Sequence, residues 1–126
     1  MPARGLRISC ATEADSSSGN VQTGMGATTC GYFFPGDRRV LYSSTHATGP
    51  NCPPKPKRDG AYRWALDDYD LYAVRIDGQE MQKLTSNPGY DAEATVSPDG
   101  KTIVWTSVKD GDLDIMQSAW GFNDQI

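Results

Sequence analysis

At 126 residues the chain has the length of one domain, enough to bury about two-thirds of its unfolded surface. Its 37% hydrophobic content, 13 Gly and 8 Pro suit a turn-rich all-β protein better than a helical one. The net charge of −4, with basic residues scattered apart from Lys55, Lys57 and Arg58, argues against a nucleic-acid partner. No apolar run approaches the ~20 residues of a membrane span, and Met1–Ser9 is basic without the apolar centre of a signal peptide.

Residues 1–19 show no sustained periodicity, and Ser16–Gly19 is linker-like. Thr28–Phe34 reads as a strand, Pro35–Arg38 as a turn and Arg39–Thr45 as the returning strand. An insertion follows at about residues 46–68. Its Gly49–Pro56 centre cannot be a central strand, because proline has no N–H to donate and restricts the residue before it. Polyproline-like loop is expected there, with a short strand through Tyr62, Trp64 and Leu66 at its end. Tyr69–Ile76 is a strand, Asp77-Gly78 a hairpin turn, and Glu80–Thr85 an outer strand. Tyr90–Val96 opens a second unit. Ser97-Pro98-Asp99-Gly100 turns into a strand over Lys101–Val108, rich in β-branched and aromatic residues. Asp110-Gly111-Asp112 turns again, and Leu113–Met116 begins the strand that pairs back. The repeat pattern is lost after Met116, and residues 119–126 read as a tail.

The chain repeats itself. Phe34-Pro35-Gly36-Asp37-Arg38-Arg39-Val40-Leu41-Tyr42-Ser43-Ser44 lies over Ser97-Pro98-Asp99-Gly100-Lys101-Thr102-Ile103-Val104-Trp105-Thr106-Ser107, at an offset of 98 − 35 = 63. Asp70-Leu71-Tyr72 recurs as Asp114-Ile115-Met116, at an offset of 114 − 70 = 44. The difference of 63 − 44 = 19 is the insertion in the first copy. A period near 40–45 residues with four strands per unit marks propeller blades. Residues 20–118 therefore read as two blades of four-stranded antiparallel sheet, the second unfinished, with Tyr42 and Trp105 as matched core aromatics. Trp120 falls outside the motif. Val21-Gln22-Thr23, 63 positions before Leu84-Thr85-Ser86, reads as the end of a preceding blade.

The run Ser97-Pro98-Asp99-Gly100-Lys101, then Trp105-Thr106-Ser107, Asp110-Gly111 and Asp114-Ile115, resembles the WD40-like propeller repeat of TolB-type proteins. The first copy, with Thr28-Thr29-Cys30-Gly31-Tyr32-Phe33-Phe34-Pro35-Gly36-Asp37, resembles relatives carrying a long insert. The resemblance spans roughly residues 20–116. It implies an all-β, TolB-like propeller that is non-enzymatic, uses no cofactor, and presents loops to a protein or peptide partner. It further implies a periplasmic or secreted location. Two other readings stay open. One is an accessory propeller segment of a larger hydrolase or peptidase. The other is a truncated gene fragment without a function of its own.

Candidate chemistry is sparse. The Gly-x-Ser-x-Gly elbow is absent, and the one His, His46, follows Ser43-Ser44-Thr45 within one local segment, whereas a catalytic triad needs groups converging from separate elements. Asp110, Asp112 and Asp114 match the first positions of a calcium loop, yet Ile115 and Gly121 stand where Gly and Glu are required. No metal site is expected. Cys10, Cys30 and Cys52 lack metal-ligand spacing. A Cys30–Cys52 bridge would pin the insertion to its blade and leave Cys10 unpaired; idle thiols are the alternative. His46, Arg63 and Trp64 flank the insertion as candidate partner contacts, since Arg and Trp are enriched in binding hot spots. The alternative for Trp64 is packing of the loop onto its own blade. Two blades leave open faces, through which self-association is expected.

Overall fold

The computed structural model describes residues 9–10, 23–54, 60 and 66–120. The strands are β1 (Ser9–Cys10), β2 (Ala27–Phe33), β3 (Arg39–Ser44), β4 (Asp70–Arg75), β5 (Gln82–Lys83), β6 (Asp91–Val96), β7 (Thr102–Ser107) and β8 (Asp114–Ala119). They form two antiparallel sheets, ordered β1-β2-β3-β4-β5 and β6-β7-β8. These are propeller blades, and the strand boundaries repeat at the offsets read from the sequence. β3 and β7 are related by 63 positions, and β4 and β8 by 44.

The turns follow from their residues. Between β2 and β3 the Phe34 amide donates to the Arg39 carbonyl at 3.0 Å, while Gly36 and Asp37 take positive φ. Between β6 and β7 the Gly100 amide donates to the Ser97 carbonyl at 2.9 Å. There Asp99 accepts the Ser97 hydroxyl at 2.6 Å and the Lys101 amide at 3.0 Å, and these bonds, the hydroxyl first, hold its carboxyl below the ordinary range. Between β7 and β8 the Gly111 amide donates to the Val108 carbonyl at 2.9 Å.

Alternation along the strands sorts side chains onto two faces. Leu41, Leu71 and Ala73 point from the first blade into an inter-blade core with Ala94, Val96, Ile103 and Trp105, joined by Phe34. Leu41, Leu71 and Ala73 are wholly buried. Covering a leucine in this way contributes about 1.5–3 kcal/mol. The opposite face of the first blade buries Tyr42, Tyr72 and Val74, with Val40 and Met81 packed against them. A smaller cluster of Ala27, Tyr69, Tyr90 and Ala92 closes one end.

Of residues 1–19 the described pair Ser9–Cys10 forms β1, with Ser9 opposite Thr28 and Cys10 opposite Ala27. The strand that the sequence opens at Leu113–Met116 runs, as β8, from Asp114 to Ala119, because β7 offers partners along that length, from Ser107 opposite Asp114 to Thr102 opposite Ala119. Two expectations are corrected. Trp120 is part of the packing. Its amide donates to the Lys101 carbonyl at 2.7 Å, and its ring lies 6.1 Å from that of Phe34. β5 is shorter than Glu80–Thr85, since the Thr85 hydroxyl replaces a main-chain rung by accepting the Leu71 amide at 3.1 Å. The predicted strand through Tyr62 and Trp64 lies outside the described residues.

Candidate binding surfaces

The first limb of the insertion is a 3-10 turn at His46–Thr48, tied down at Gly26. The Gly26 amide donates to the Pro50 carbonyl at 2.9 Å. Thr45 and Ala27 exchange two bonds, the Thr45 amide to the Ala27 carbonyl at 3.0 Å and the Ala27 amide to Thr45 Oγ1 at 2.9 Å. A β-carbon on Gly26 would lie 2.7 Å from Thr45 Oγ1 and 2.9 Å from the His46 nitrogen, and its φ is +67°. Only glycine fits there without moving the turn.

This anchoring sets His46 against the blade. Its ring centroid is 4.2 Å from that of Tyr72. Ser44 Oγ accepts the His46 amide at 3.1 Å and bonds Nδ1 at 3.0 Å. Desolvation first, then the Lys83 ammonium, lower the imidazole below its ordinary value, with Asp70 opposing. Asp70 is committed elsewhere, to the Thr85 hydroxyl at 2.9 Å and Lys83 Nζ at 3.3 Å. Ser44 is 1% exposed, so its oxygen cannot meet a substrate. The Ser44–His46 pair is a structural clasp, and as a contact His46 offers a half-buried ring edge.

Arg63 and Trp64 lie outside the described residues. The cysteine pairing is corrected: Cys30 is a free thiol, whereas Cys52 is held in a disulfide. Cys30 is the first residue of a bulge in β2, with φ of 58°, and it bonds the Thr29 hydroxyl at 3.4 Å. Asp110, Asp112 and Asp114 are exposed. Among the described residues no three His, Cys, Asp or Glu side chains converge as a cation site would require.

The outward face of the second blade is the other candidate. Val104, Ile115 and Gln117 are the repeat partners of Leu41, Leu71 and Ala73. The first-blade trio is wholly buried under the second blade, yet Ile115 is 73% exposed, Gln117 is exposed and Val104 is half-buried. Leu113, at 55% exposure, extends the patch. This is a blade-packing face without a blade on it among the described residues.

No protein-family model matches the chain. A TolB homolog from Chlorobium luteolum is 33% identical over 78 residues, covering 60% of this chain and 17% of its own length. The crystal structure of TolB from Acinetobacter baumannii superposes with a TM-score of 0.50 at 20% identity, covering 75% of this chain and 19% of that one. The chain carries a partial TolB-like propeller fold. It spans less than a fifth of the length of either relative, and at 20% identity the structural likeness concerns the fold alone. Among the described residues no helix is long and apolar enough to cross a membrane.

The TolB-like blades show what sequence reasoning missed. Val104 and Ile115 were not singled out, although the 63- and 44-residue offsets place them over Leu41 and Leu71. That repeat register was the signal present in the sequence. The bond from Trp105 Nε1 to Asp91 at 3.1 Å had no sequence signal, because nothing in the strand pattern marks Asp91 as an acceptor.

Proposed function

We propose that this chain is a non-enzymatic protein-interaction module built on TolB-like blades, whose partner is another blade-like sheet, in the first instance a second copy of the chain. The observation that supports this reading is the exposed Val104–Ile115 face, equivalent to the face that buries Leu41 and Leu71 in the first blade. Apolar side chains at blade-packing positions lower their free energy by docking on a second sheet. The Cys52 disulfide supports a periplasmic or secreted location, since disulfides persist in oxidising compartments. No observation favours the accessory-hydrolase reading, and the Ser44–His46 clasp gives it no support.

Light scattering coupled to gel filtration tests the proposal. The wild-type chain should gain mass with concentration, and Ile115→Asp should return it to the mass of one chain. A wild-type chain that stays monomeric at every concentration, or association indifferent to Ile115→Asp, would overturn it.

A further inference from the structure

The chain has three cysteines, at positions 10, 30 and 52. Cys30 is a free thiol and Cys52 is bridged, so the count leaves Cys10 as the partner of Cys52. The backbone agrees with this pairing. Cys10 stands opposite Ala27 where β1 meets β2. Gly26, the neighbour of Ala27, donates its amide to the Pro50 carbonyl at 2.9 Å, and Cys52 follows Pro50 by two residues. Both cysteines therefore come to one corner of the first blade.

What a bridge at this corner holds is small. β1 is two residues long and makes two pairs, Ser9 with Thr28 and Cys10 with Ala27. Ala27 turns its main-chain groups the other way: its amide donates to Thr45 Oγ1 at 2.9 Å, and its carbonyl accepts the Thr45 amide at 3.0 Å. Main-chain groups alternate in direction along a strand, so those of Thr28 turn toward Ser9. Two pairs are too few to hold a strand against the conformational freedom it loses. A covalent tie reduces that freedom in advance. Cys52 is half-buried in a segment without regular structure, and disulfides in exposed settings are the ones that reductants open.

We propose that Cys10 and Cys52 form a redox-sensitive clasp that keeps β1 on β2. Closed, the bridge holds Ser9 against the main-chain groups of Thr28. Opened by a thiol reductant, it lets β1 leave and frees that stretch of the β2 edge. The opening is a two-electron exchange. A dithiol breaks the Cys10–Cys52 S–S bond, its two protons end on the Cys10 and Cys52 thiols, and the dithiol becomes a disulfide. Cys30 is a bystander, a free thiol bonded to the Thr29 hydroxyl. The clasp lies on the first blade and is independent of the Val104–Ile115 face of the second.

Non-reducing peptide mass mapping should recover Cys10 and Cys52 as one linked pair. Amide exchange read by NMR then follows the full chain with and without excess dithiothreitol. Reduction should speed exchange at Thr28 about tenfold or more, as local opening of an edge strand does. Ala27 should not change, since its amide bonds Thr45 Oγ1 in either state. Cys52→Ala should show the reduced pattern without reductant, and Cys30→Ala should keep the wild-type response. A Cys52 peptide linked to Cys30 or to a second chain would overturn the proposal. So would exchange at Thr28 indifferent to dithiothreitol, or Ala27 and Thr28 quickening together, which would make the bridge a tie for the whole blade.

Discussion

Cys30 and Glu93 occupy one position of the blade twice. They lie 93 − 30 = 63 residues apart, both have φ of 58°, and each is the first residue of a bulge. In the first blade Cys30 and Gly31 together face Tyr42; in the second, Glu93 and Ala94 together face Trp105. The extra residue bends the inner strand and increases its twist opposite the largest side chain of the neighbouring strand.

A left-handed conformation costs a residue with a β-carbon about 1–2 kcal/mol. Cys30→Gly should therefore leave stability unchanged or raise it by up to about 1 kcal/mol. Cys30→Val, β-branched at the same φ, should destabilise by about 1–2 kcal/mol. Urea titrations that rank valine above glycine would contradict the bulge.

Trp105 Nε1 donates to Asp91, which is wholly buried and whose second carboxylate oxygen has no partner among the described residues. Trp105→Phe keeps most of the packing but strips that donor, and should cost about 1–3 kcal/mol. Trp105→Ala adds a cavity and should cost about 3–5 kcal/mol. Trp120→Ala removes a half-buried ring and should cost less than Trp105→Ala. Equal losses for the two alanine variants in urea titration would place the core elsewhere.

His46 is the chain's one histidine, so a single imidazole titration reports on it. Its folded value is lowered from 6.5 by desolvation and by Lys83, with Asp70 opposing. Between the lowered and ordinary values the unfolded chain binds more protons. Stability is therefore full above about pH 6.5 and falls as pH drops through the folded value. Proton NMR should show a midpoint below 6.5, and His46→Gln should flatten the stability profile in that window. A midpoint at or above 6.5 would refute the clasp.

Burial pushes the Tyr72 hydroxyl up to about 12, with Asp70 adding to it, and raises Tyr42 further still. The neutral phenols favour the fold, so stability is full below pH 10 and is lost as pH rises toward 12. The Tyr72 hydroxyl is buried with no partner among the described residues. Tyr72→Phe should accordingly keep neutral-pH stability or raise it by about 1 kcal/mol, and should soften the alkaline loss. A marked loss of stability at neutral pH, read from thermal melts, would reveal a bond to that hydroxyl.

Alkylation of the unreduced, unfolded chain should label Cys30 and leave Cys52 unlabelled, since Cys30 is free and Cys52 is bridged. Peptide mass mapping reads this directly, and a labelled Cys52 would contradict it.

Strands, turns and the two-blade repeat were legible along the chain, because each rests on neighbours within a few residues. Pro98 and Gly100 make their turn locally, and the period-2 burial of Ile103, Trp105 and Ser107 needs only a sheet with one covered face. The bulge at Cys30 and Glu93 was not legible, since two residues opposing one depends on the register of the partner strand. The fate of the cysteines was hidden for a related reason. A disulfide forms where backbones bring two thiols together, and sequence separation carries no such distance. Leu71 and Ile115 match in sequence, yet one is wholly buried and the other largely exposed. Packing of one sheet on another is a contact between distant segments, so the same aliphatic residue is core in one blade and surface in the next.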